Sequence, residues 1–167
     1  MRSARRVVDY LVVIGLIIAL VYGGRYMGFF ESDGPVVVAD GDSLRMGGRK
    51  VRLHGIDAPE LDQSCRLAND KSYRCGREAR NFLKQLISRR EVKCTLIDID
   101  RYDRDVAVCR AGDTELNSAM VSNGWALAYR HHSGNYIKVE KSARQKQKGI
   151  WRGKFENPQE WRNKHRR

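Results

Sequence analysis

Apolar and polar residues alternate over a short stretch in the first half of the chain. Within Arg49–Ile56, Val51 falls on one side of an extended strand and Arg52 on the other, by the two-residue period of β-structure. A Gly47–Gly48 pair separates this stretch from Ser43–Met46, a second strand-like run. The pattern predicts a β-hairpin that turns at the two glycines. Arg52 then leaves the core side and is free to contact a ligand.

A helical period follows a polar loop that contains two cysteines. Apolar residues recur there at i, i+3, i+4, i+7 and i+8, the spacing of a helix with one buried face. These residues are Ala79, Phe82, Leu83, Leu86 and Ile87. Two further helices are predicted, a short one at Leu116–Asn123, stopped by Gly124, and another at about residues 136–148, closed by Gly149.

The remaining strand signals complete a fold prediction. Val36–Ala39 is a β-branched run, and two further strands are predicted at Val92–Ile99 and Asp105–Arg110, joined by a short turn. Five short strands around one helix, with two more helices following, indicate a mostly β fold with helices (α+β). We expect a five-stranded closed barrel of the OB type with about three helices, an architecture that often binds nucleic acid on one face.

The cysteines offer a test of this strand pairing. Antiparallel pairing across the short turn places Cys94 opposite Cys109, with β-carbons about 4.5–5.5 Å apart, near what a disulfide needs. The same register pairs residue 97 with residue 106. The two other cysteines lie in one polar loop and are expected to form a second disulfide: Cys65 and Cys75. Zinc is the alternative, but C-x₂-C spacing is missing, and two disulfides indicate an oxidising space such as a bacterial periplasm.

The first thirty residues differ in character from the rest. An uncharged apolar run at residues 10–24 follows a basic N-terminus, and apolar neighbours extend it toward the about 17–25 residues that a spanning helix needs. We expect residues 1–30 to be a single-pass membrane anchor with a cytoplasmic N-terminus, because basic residues favour that side. A cleaved signal peptide is the alternative. Either would place residues 31–167 in the periplasm or outside the cell.

The rest of the chain divides into a linker at residues 31–35, a globular domain at 36–151 and a basic tail at 152–167. The protein has 32 basic and 20 acidic residues, a net charge of +12, and residues 1–30 contribute +3 of it. The remaining +9 would attract a polyanion and raise its encounter rate. This charge alone does not separate nucleic acid from anionic lipid.

The stretch Ala39–Glu60 gathers acidic residues around one arginine, Arg52. Carboxylates are hard oxygen ligands that suit Ca²⁺ or Mg²⁺, and a guanidinium forks onto phosphate oxygens. A divalent metal and an arginine beside a spare carboxylate describe a site for phosphodiester chemistry. A hairpin with polar turns explains each residue singly, but not the set. The acidic residues are Asp40, Asp42, Asp57 and Glu60.

Five segments of the chain form a recognisable set in this order and spacing: DGDS at Asp40–Ser43, VRLHGIDAPE at Val51–Glu60, DRYDR at Asp100–Arg104, NSAMVSNGWALAYR at Asn117–Arg130 and KGIW at Lys148–Trp151. With them the chain resembles the staphylococcal nuclease-like (thermonuclease) family over about residues 36–151. The resemblance implies an OB-fold barrel with three helices and Ca²⁺-dependent hydrolysis of DNA and RNA. Nothing in the sequence implies a protein partner, so a monomer is expected.

The resemblance also implies roles for the acidic residues, position by position. Asp42 and Asp57 match the calcium carboxylates. Ala58 stands where the family residue contributes its backbone carbonyl, so the missing hydroxyl should matter little. Glu60 resembles the carboxylate that activates or orients the attacking water.

Phosphate contacts follow from the same resemblance. Arg52 and Arg104 resemble the pair of arginines that grips the phosphate, and Tyr102 resembles a further phosphate contact. Asp103 departs from the family, which commonly has glycine in this turn, and it places a negative charge beside Arg104. The cysteine loop also departs from the family. The aromatic pair that stacks on the base has only candidate counterparts, Tyr129 and Tyr136.

Three classes of function are compatible with the composition and net charge of the chain. The first is a membrane-tethered or exported nuclease, and the second is a non-catalytic nucleic-acid-binding OB module. The third is a cell-envelope structural protein that uses its basic surface on anionic lipid. Glu60 favours the nuclease over the binding module, because a module that only binds has no need of a carboxylate that activates water.

Overall fold

The computed structural model describes residues 10, 12–16, 29–31, 35–130 and 133–165. They form a mixed α+β fold. Most of the predicted membrane anchor, residues 1–30, lies outside the described residues. Among those that are described, no helix has the length and apolar character needed to cross a bilayer.

The strands of the described part are short. They are β1 (Phe29–Glu31), β2 (Val37–Val38), β3 (Ser43–Met46), β4 (Arg49–Leu53), β5 (Ile56–Asp57), β6 (Cys65–Leu67), β7 (Ser72–Tyr73), β8 (Val92–Ile99), β9 (Asp105–Ala111), β10 (Thr114–Glu115), β11 (Leu127–Ala128) and β12 (Gly153–Lys154). The helices are α1 (Cys75–Ile87), α2 (Leu116–Ser122), α3 (Ile137–Gln145) and α4 (Pro158–His165), with a 3₁₀ turn at Gly149–Arg152. The three predicted helices are thus confirmed, and α4 is additional.

One sheet carries most of these strands, in the order β1-β8-β9-β4-β3-β2, with β10 on β9. Strands β4 and β9 pair in parallel, and the other pairs in this sheet are antiparallel. The pairings of the described strands do not close this sheet into a barrel. Two small sheets, β11-β5 and β12-β6-β7, lie beside it. The predicted α+β class is therefore confirmed at the level of mixed architecture.

The predicted glycine hairpin is confirmed, but its second strand is shorter than expected. Strands β3 and β4 pair across Gly47 and Gly48, whose φ angles of 54° and 77° are in the left-handed region that glycine adopts without strain. Strand β4 ends at Leu53 rather than Ile56, and Gly55 (φ 73°) turns the chain into β5. Asp57 therefore lies one turn away from the strand that carries Arg52.

The β8–β9 hairpin has the predicted disulfide and an unpredicted bulge. Cys94 and Cys109 face each other with Cα atoms 4.1 Å apart, and Cys65–Cys75 is the second disulfide, with a Cα separation of 5.6 Å. The expected pairing of residue 97 with residue 106 is wrong, because a β-bulge at Ile97 shifts the register by one.

The core lies between this sheet and helices α1 and α2. Ala79, Leu83 and Ile87 of α1 are buried, and the other two residues of its predicted face pack against the core while partly exposed. Gly41 approaches this helix closely, since a β-carbon there would lie 2.9 Å from Ala79 Cβ and 2.6 Å from Ala58 Cβ. The turn that contains Asp42 is therefore pressed between α1 and the segment after β5.

Residues 152–165 pack back against the domain. Strand β12 pairs with β6, with Gly153 opposite Leu67. The Gln63 side-chain amide donates a 2.7 Å hydrogen bond to the Glu156 carbonyl, and Pro158 at the start of α4 is buried. The basic tail thus folds back toward the segment that contains Glu60.

Candidate active site

Asp42 is buried in the turn between β2 and β3, with 2% of its surface exposed. Its Oδ2 accepts a 2.7 Å hydrogen bond from the Ala58 backbone N–H, and its Oδ1 accepts one of 3.1 Å from the Ser43 hydroxyl. Asp40 Oδ1 accepts from the Asp42 backbone N–H at 3.0 Å and holds the turn. The DGDS segment and the segment after β5 therefore meet directly at this carboxylate.

Arg52 bridges the two buried aspartates. Its Nη1 donates to Asp42 Oδ1, and its Nη2 donates to Asp57 Oδ1 at 2.9 Å, with the Ile56 carbonyl at 3.3 Å. Burial disfavours the charged guanidinium, but Asp42 and Asp57 more than offset this and raise the pKa of Arg52. Arg52 therefore stays charged between two carboxylates that are shielded from water.

Arg162 of α4 occupies the outer side of the same cluster. Its Nη1 and Nη2 donate to Asp57 Oδ1 and Oδ2 at 2.9 and 3.1 Å, and Nη1 also donates to Glu60 Oε1 at 2.8 Å. Partial burial opposes its charge, but the hydrogen bonds of Asp57 and Glu60 raise the pKa of Arg162. This residue is not predictable from the sequence, since a single arginine in a basic tail gives no local signal.

Glu60 is held by its own backbone and by Gln63. The Glu60 N–H donates to Gln63 Oε1 at 3.1 Å, and the Gln63 N–H donates to the Glu60 carbonyl at 2.8 Å. Gly76 must be glycine here, because a β-carbon would lie 1.7 Å from the Glu60 carbonyl oxygen. Gln63 is fully buried and is a second residue that the sequence analysis did not single out. The Glu60 side chain, 32% exposed, stays accessible above this frame.

The β8–β9 turn carries Arg104 and Tyr102. Asp100 Oδ2 accepts from Arg104 Nε and Nη2, both at 2.7 Å, and Asp100 Oδ1 accepts from the Tyr102 and Arg104 backbone N–H groups at 2.9 and 3.1 Å. Partial burial opposes ionisation, but these hydrogen bonds lower the pKa of Asp100. Asp103 adopts a φ of 57°, so the turn keeps a glycine-like conformation without glycine.

The two groups of predicted residues make no direct contact in the described ion pairs. Asp42, Arg52, Asp57 and Ala58 bond to one another, whereas the described ion pair of Arg104 is with Asp100. Arg52 pairs with Val106 across β4 and β9, so the turn with Arg104 begins two residues from the strand position beside Arg52.

The candidate base-stacking tyrosines have different surroundings. Tyr136 is buried, and its hydroxyl donates to Glu115 Oε1 at 2.8 Å. Tyr129 is partly exposed. Tyr136 is therefore a core residue and is not available to stack on a base.

Charge at the cluster favours an additional cation. Burial, partly offset by Arg52, raises the pKa of Asp42 to about 6. The carboxylates outnumber the guanidinium groups by two. No group of three or more His, Cys, Asp or Glu side chains in the described part of the chain is arranged to hold a metal. The donor type and charge fit a divalent cation, while two guanidinium groups already bond Asp57. The four carboxylates in the comparison above are those of Asp40, Asp42, Asp57 and Glu60, and the two guanidinium groups are those of Arg52 and Arg162.

The site combines a buried pair of aspartates, joined by an arginine, with a more exposed glutamate. A protein with such a site belongs to a class suited to phosphodiester chemistry. Comparison with known proteins gives the family. Residues 50–153 match the model of the staphylococcal nuclease homologue family, which is more than half of the chain. The chain belongs to this family. The match ends before α4, so Arg162 lies beyond it.

Individual proteins are also similar to this chain. The chain is 33% identical over 127 residues to the succinoglycan biosynthesis protein ExoI of Rhizobium meliloti (strain 1021), covering 74% of this chain and 66% of that protein. It is 27% identical over 139 residues to the probable staphylococcal-like nuclease CAN3 of Oryza sativa subsp. japonica, covering 81% and 34%. It is 34% identical over 145 residues to the micrococcal nuclease of Shigella flexneri, covering 76% and 78%. The chain thus spans less than two thirds of the first two relatives.

Proposed function

We propose that this protein is a nuclease that hydrolyses phosphodiester bonds of DNA, RNA or both, with the help of Ca²⁺. The observation that carries the proposal is the bridge from Arg52 to two buried carboxylates, Asp42 and Asp57, with Glu60 beside it. Relatives whose names describe nucleases, such as that of Shigella flexneri, support the same reaction class.

The buried aspartates provide the cation site in this proposal. Asp42, Asp57 and the backbone carbonyl of Ala58 would hold the calcium ion, and their oxygens are the ligands that this hard cation prefers. When bound, the ion supplies positive charge that polarises a phosphoryl oxygen. The two negative charges left uncompensated at the cluster support a divalent rather than a monovalent cation.

The remaining residues act on water and phosphate. Glu60, which is partly exposed, would take a proton from the attacking water, a contribution of about 10²–10⁴-fold. Arg52 and Arg104 would neutralise charge that develops on the phosphoryl oxygens. Tyr102 at the same turn would donate to a phosphate oxygen. Arg104 can neutralise this charge only if its ion pair with Asp100 is shared with the substrate or exchanged for it.

We also propose where the enzyme works. The two disulfides support an oxidising compartment, and the apolar, basic-flanked residues 1–30 support a membrane anchor that leaves the domain outside the cytoplasm. The main sheet would form the wall of an OB-type barrel, and the protein would act as a monomer without a protein partner.

A cleavage assay on the full-length protein, purified in mild detergent, tests the function. We expect cleavage of DNA or RNA with calcium and none with a chelator. Glu60→Gln should lower kcat at least about 100-fold while calcium binding persists. Glu91→Gln removes an exposed carboxylate far from this cluster in the sequence and should leave kcat unchanged. Cleavage of neither polymer in calcium would instead indicate a binding module, and near-normal turnover in Glu60→Gln would reject its role.

A further inference from the structure

Arg162 makes ion pairs that the proposed roles of its partners do not explain. It lies on α4, beyond the residues matched by the family model, yet it bonds Asp57 and Glu60, which are 105 and 102 residues away in sequence. Its side chain is 31% exposed, so this guanidinium is partly withdrawn from water. Two charge-assisted hydrogen bonds to Asp57 form a bidentate fork, the strong geometry for an arginine and a carboxylate.

Asp57 uses most of its hydrogen-bond capacity on two arginines. Its Oδ1 accepts from Arg52 Nη2 and Arg162 Nη1, both at 2.9 Å, and its Oδ2 accepts from Arg162 Nη2 at 3.1 Å. A carboxylate has about four lone-pair sites. Arg162 therefore uses the acceptor capacity that Asp57 would need as a cation ligand. A guanidinium and a cation on the same oxygens also repel each other.

Arg162 makes the described ion pairs between α4 and the site, while the buried Pro158 and the hydrogen bond from Gln63 to the Glu156 carbonyl hold the start of the helix. Lys164 bonds Glu156, just before the helix, and Trp161 stacks on His165 within it, at a ring separation of 4.1 Å. These described contacts stay inside the C-terminal segment, whereas those of Arg162 reach the catalytic carboxylates. The part of α4 beyond Pro158 can leave the site when the ion pairs of Arg162 are replaced.

We propose that Arg162 competes with a divalent cation for Asp57, so that cation binding displaces its guanidinium from Asp57 and Glu60 and loosens α4. The inference rests on the proposed function, because it takes Asp57 as a cation ligand. The C-terminal helix then sets the cation concentration at which the site becomes active. Glu60 is freed to accept a proton in the same event.

Calcium titration by calorimetry tests the competition on the full-length protein. Arg162→Gln should bind calcium at least about 5-fold more tightly than the unmodified protein, within the usual range of coupling between sites. Arg162→Lys keeps the charge but loses the fork, and its affinity should fall between the two. Lys164→Gln is the matched control, since it removes one positive charge from the same helix without touching the cluster, and its calcium affinity should be unchanged.

Hydrogen exchange of residues 158–165 gives a second readout. Calcium should speed exchange in the unmodified protein, while Arg162→Gln should exchange quickly with or without calcium. Equal or weaker calcium binding by Arg162→Gln would overturn the competition and identify Arg162 as a positioning residue, leaving the proposed nuclease intact. If neither protein binds calcium, the calcium requirement of the proposed function fails and the competition fails with it.

Discussion

The buried cluster and the β8–β9 turn hold their arginines in opposite ways. Arg52 lies between Asp42 and Asp57, which are 2% and 3% exposed. Arg104 pairs with Asp100, four residues away in its own turn, and these two side chains are more exposed, at 32% and 20%. Charges inside the protein are expensive to leave unpaired, whereas exposed pairs exchange partners at little cost. The cluster is therefore preorganised, and the turn is free to adjust to a substrate.

The largest difference in unfolding free energy between the two regions is expected when the arginine of each is removed. Arg52→Met leaves buried Asp42 without its described cationic partner and Asp57 with Arg162 alone, and it should cost about 3–5 kcal/mol of unfolding free energy, as well as activity. Arg104→Met breaks a partly exposed pair and should cost only about 0–1 kcal/mol. Urea unfolding with chelator measures both. Equal losses in the two variants would mean that the regions do not differ in burial as described.

Removal of the negative charge of Asp42 should affect the unfolding free energy in the opposite direction to removal of Arg52. Its pKa is raised from 3.8 to about 6, because burial favours the neutral carboxyl more than Arg52 opposes it. The folded state then binds more protons than the unfolded state between those values, so Asp42 lowers stability as pH rises through this window. Asp42→Asn keeps an acceptor for the Ala58 N–H but cannot ionise, so its stability relative to the unmodified protein should rise as pH rises through this window.

Urea unfolding at pH 4 and pH 7, with chelator present, checks this prediction. The unfolding free energy of Asp42→Asn minus that of the unmodified protein should be higher at pH 7 than at pH 4, and the variant should lose cleavage. A destabilised Asp42→Asn protein at pH 7 would show that Arg52 makes the ionised carboxylate favourable in the folded state.

The smallest effect is expected at the exposed turn. Tyr102→Ala removes one hydroxyl donor and should raise KM by about 5-fold, equivalent to about 1 kcal/mol, with little change in kcat. Its unfolding free energy should change by less than about 0.5 kcal/mol. Steady-state kinetics and urea unfolding of one preparation provide both numbers. A large fall in kcat would place Tyr102 among the groups that act only in the transition state.

Local patterns predicted the elements whose determinants are close in sequence. The Gly47–Gly48 hairpin follows from two residues with positive φ, and the disulfide between Cys94 and Cys109 follows from strand register. The bulge at Ile97 was missed, since an extra residue leaves no mark on the alternation of an exposed strand. The wrong register at residue 97 does not affect the predicted pairing of Cys94, because the bulge lies between Cys94 and the turn.

The candidate site was predictable only where its residues share a segment. Arg52, Asp57 and Glu60 lie within nine residues of one another, and the turn of Asp42 reaches them through the neighbouring strand. Arg162 comes from more than 100 residues away on a helix with weak periodicity, so neither spacing nor composition could indicate its contacts. Gln63 was missed for a related reason, because a polar loop residue gives no sign that it will be buried.

A crystal structure of the protein with calcium and a nucleotide that carries a terminal phosphate tests the central claim most directly. We predict a calcium ion at about 2.3–2.6 Å from carboxylate oxygens of Asp42 and Asp57, and the phosphate on Arg52 and Arg104. Arg162 should have left Asp57. A calcium ion bound elsewhere, or a phosphate bound away from Arg52 with the cluster unchanged, would contradict the account.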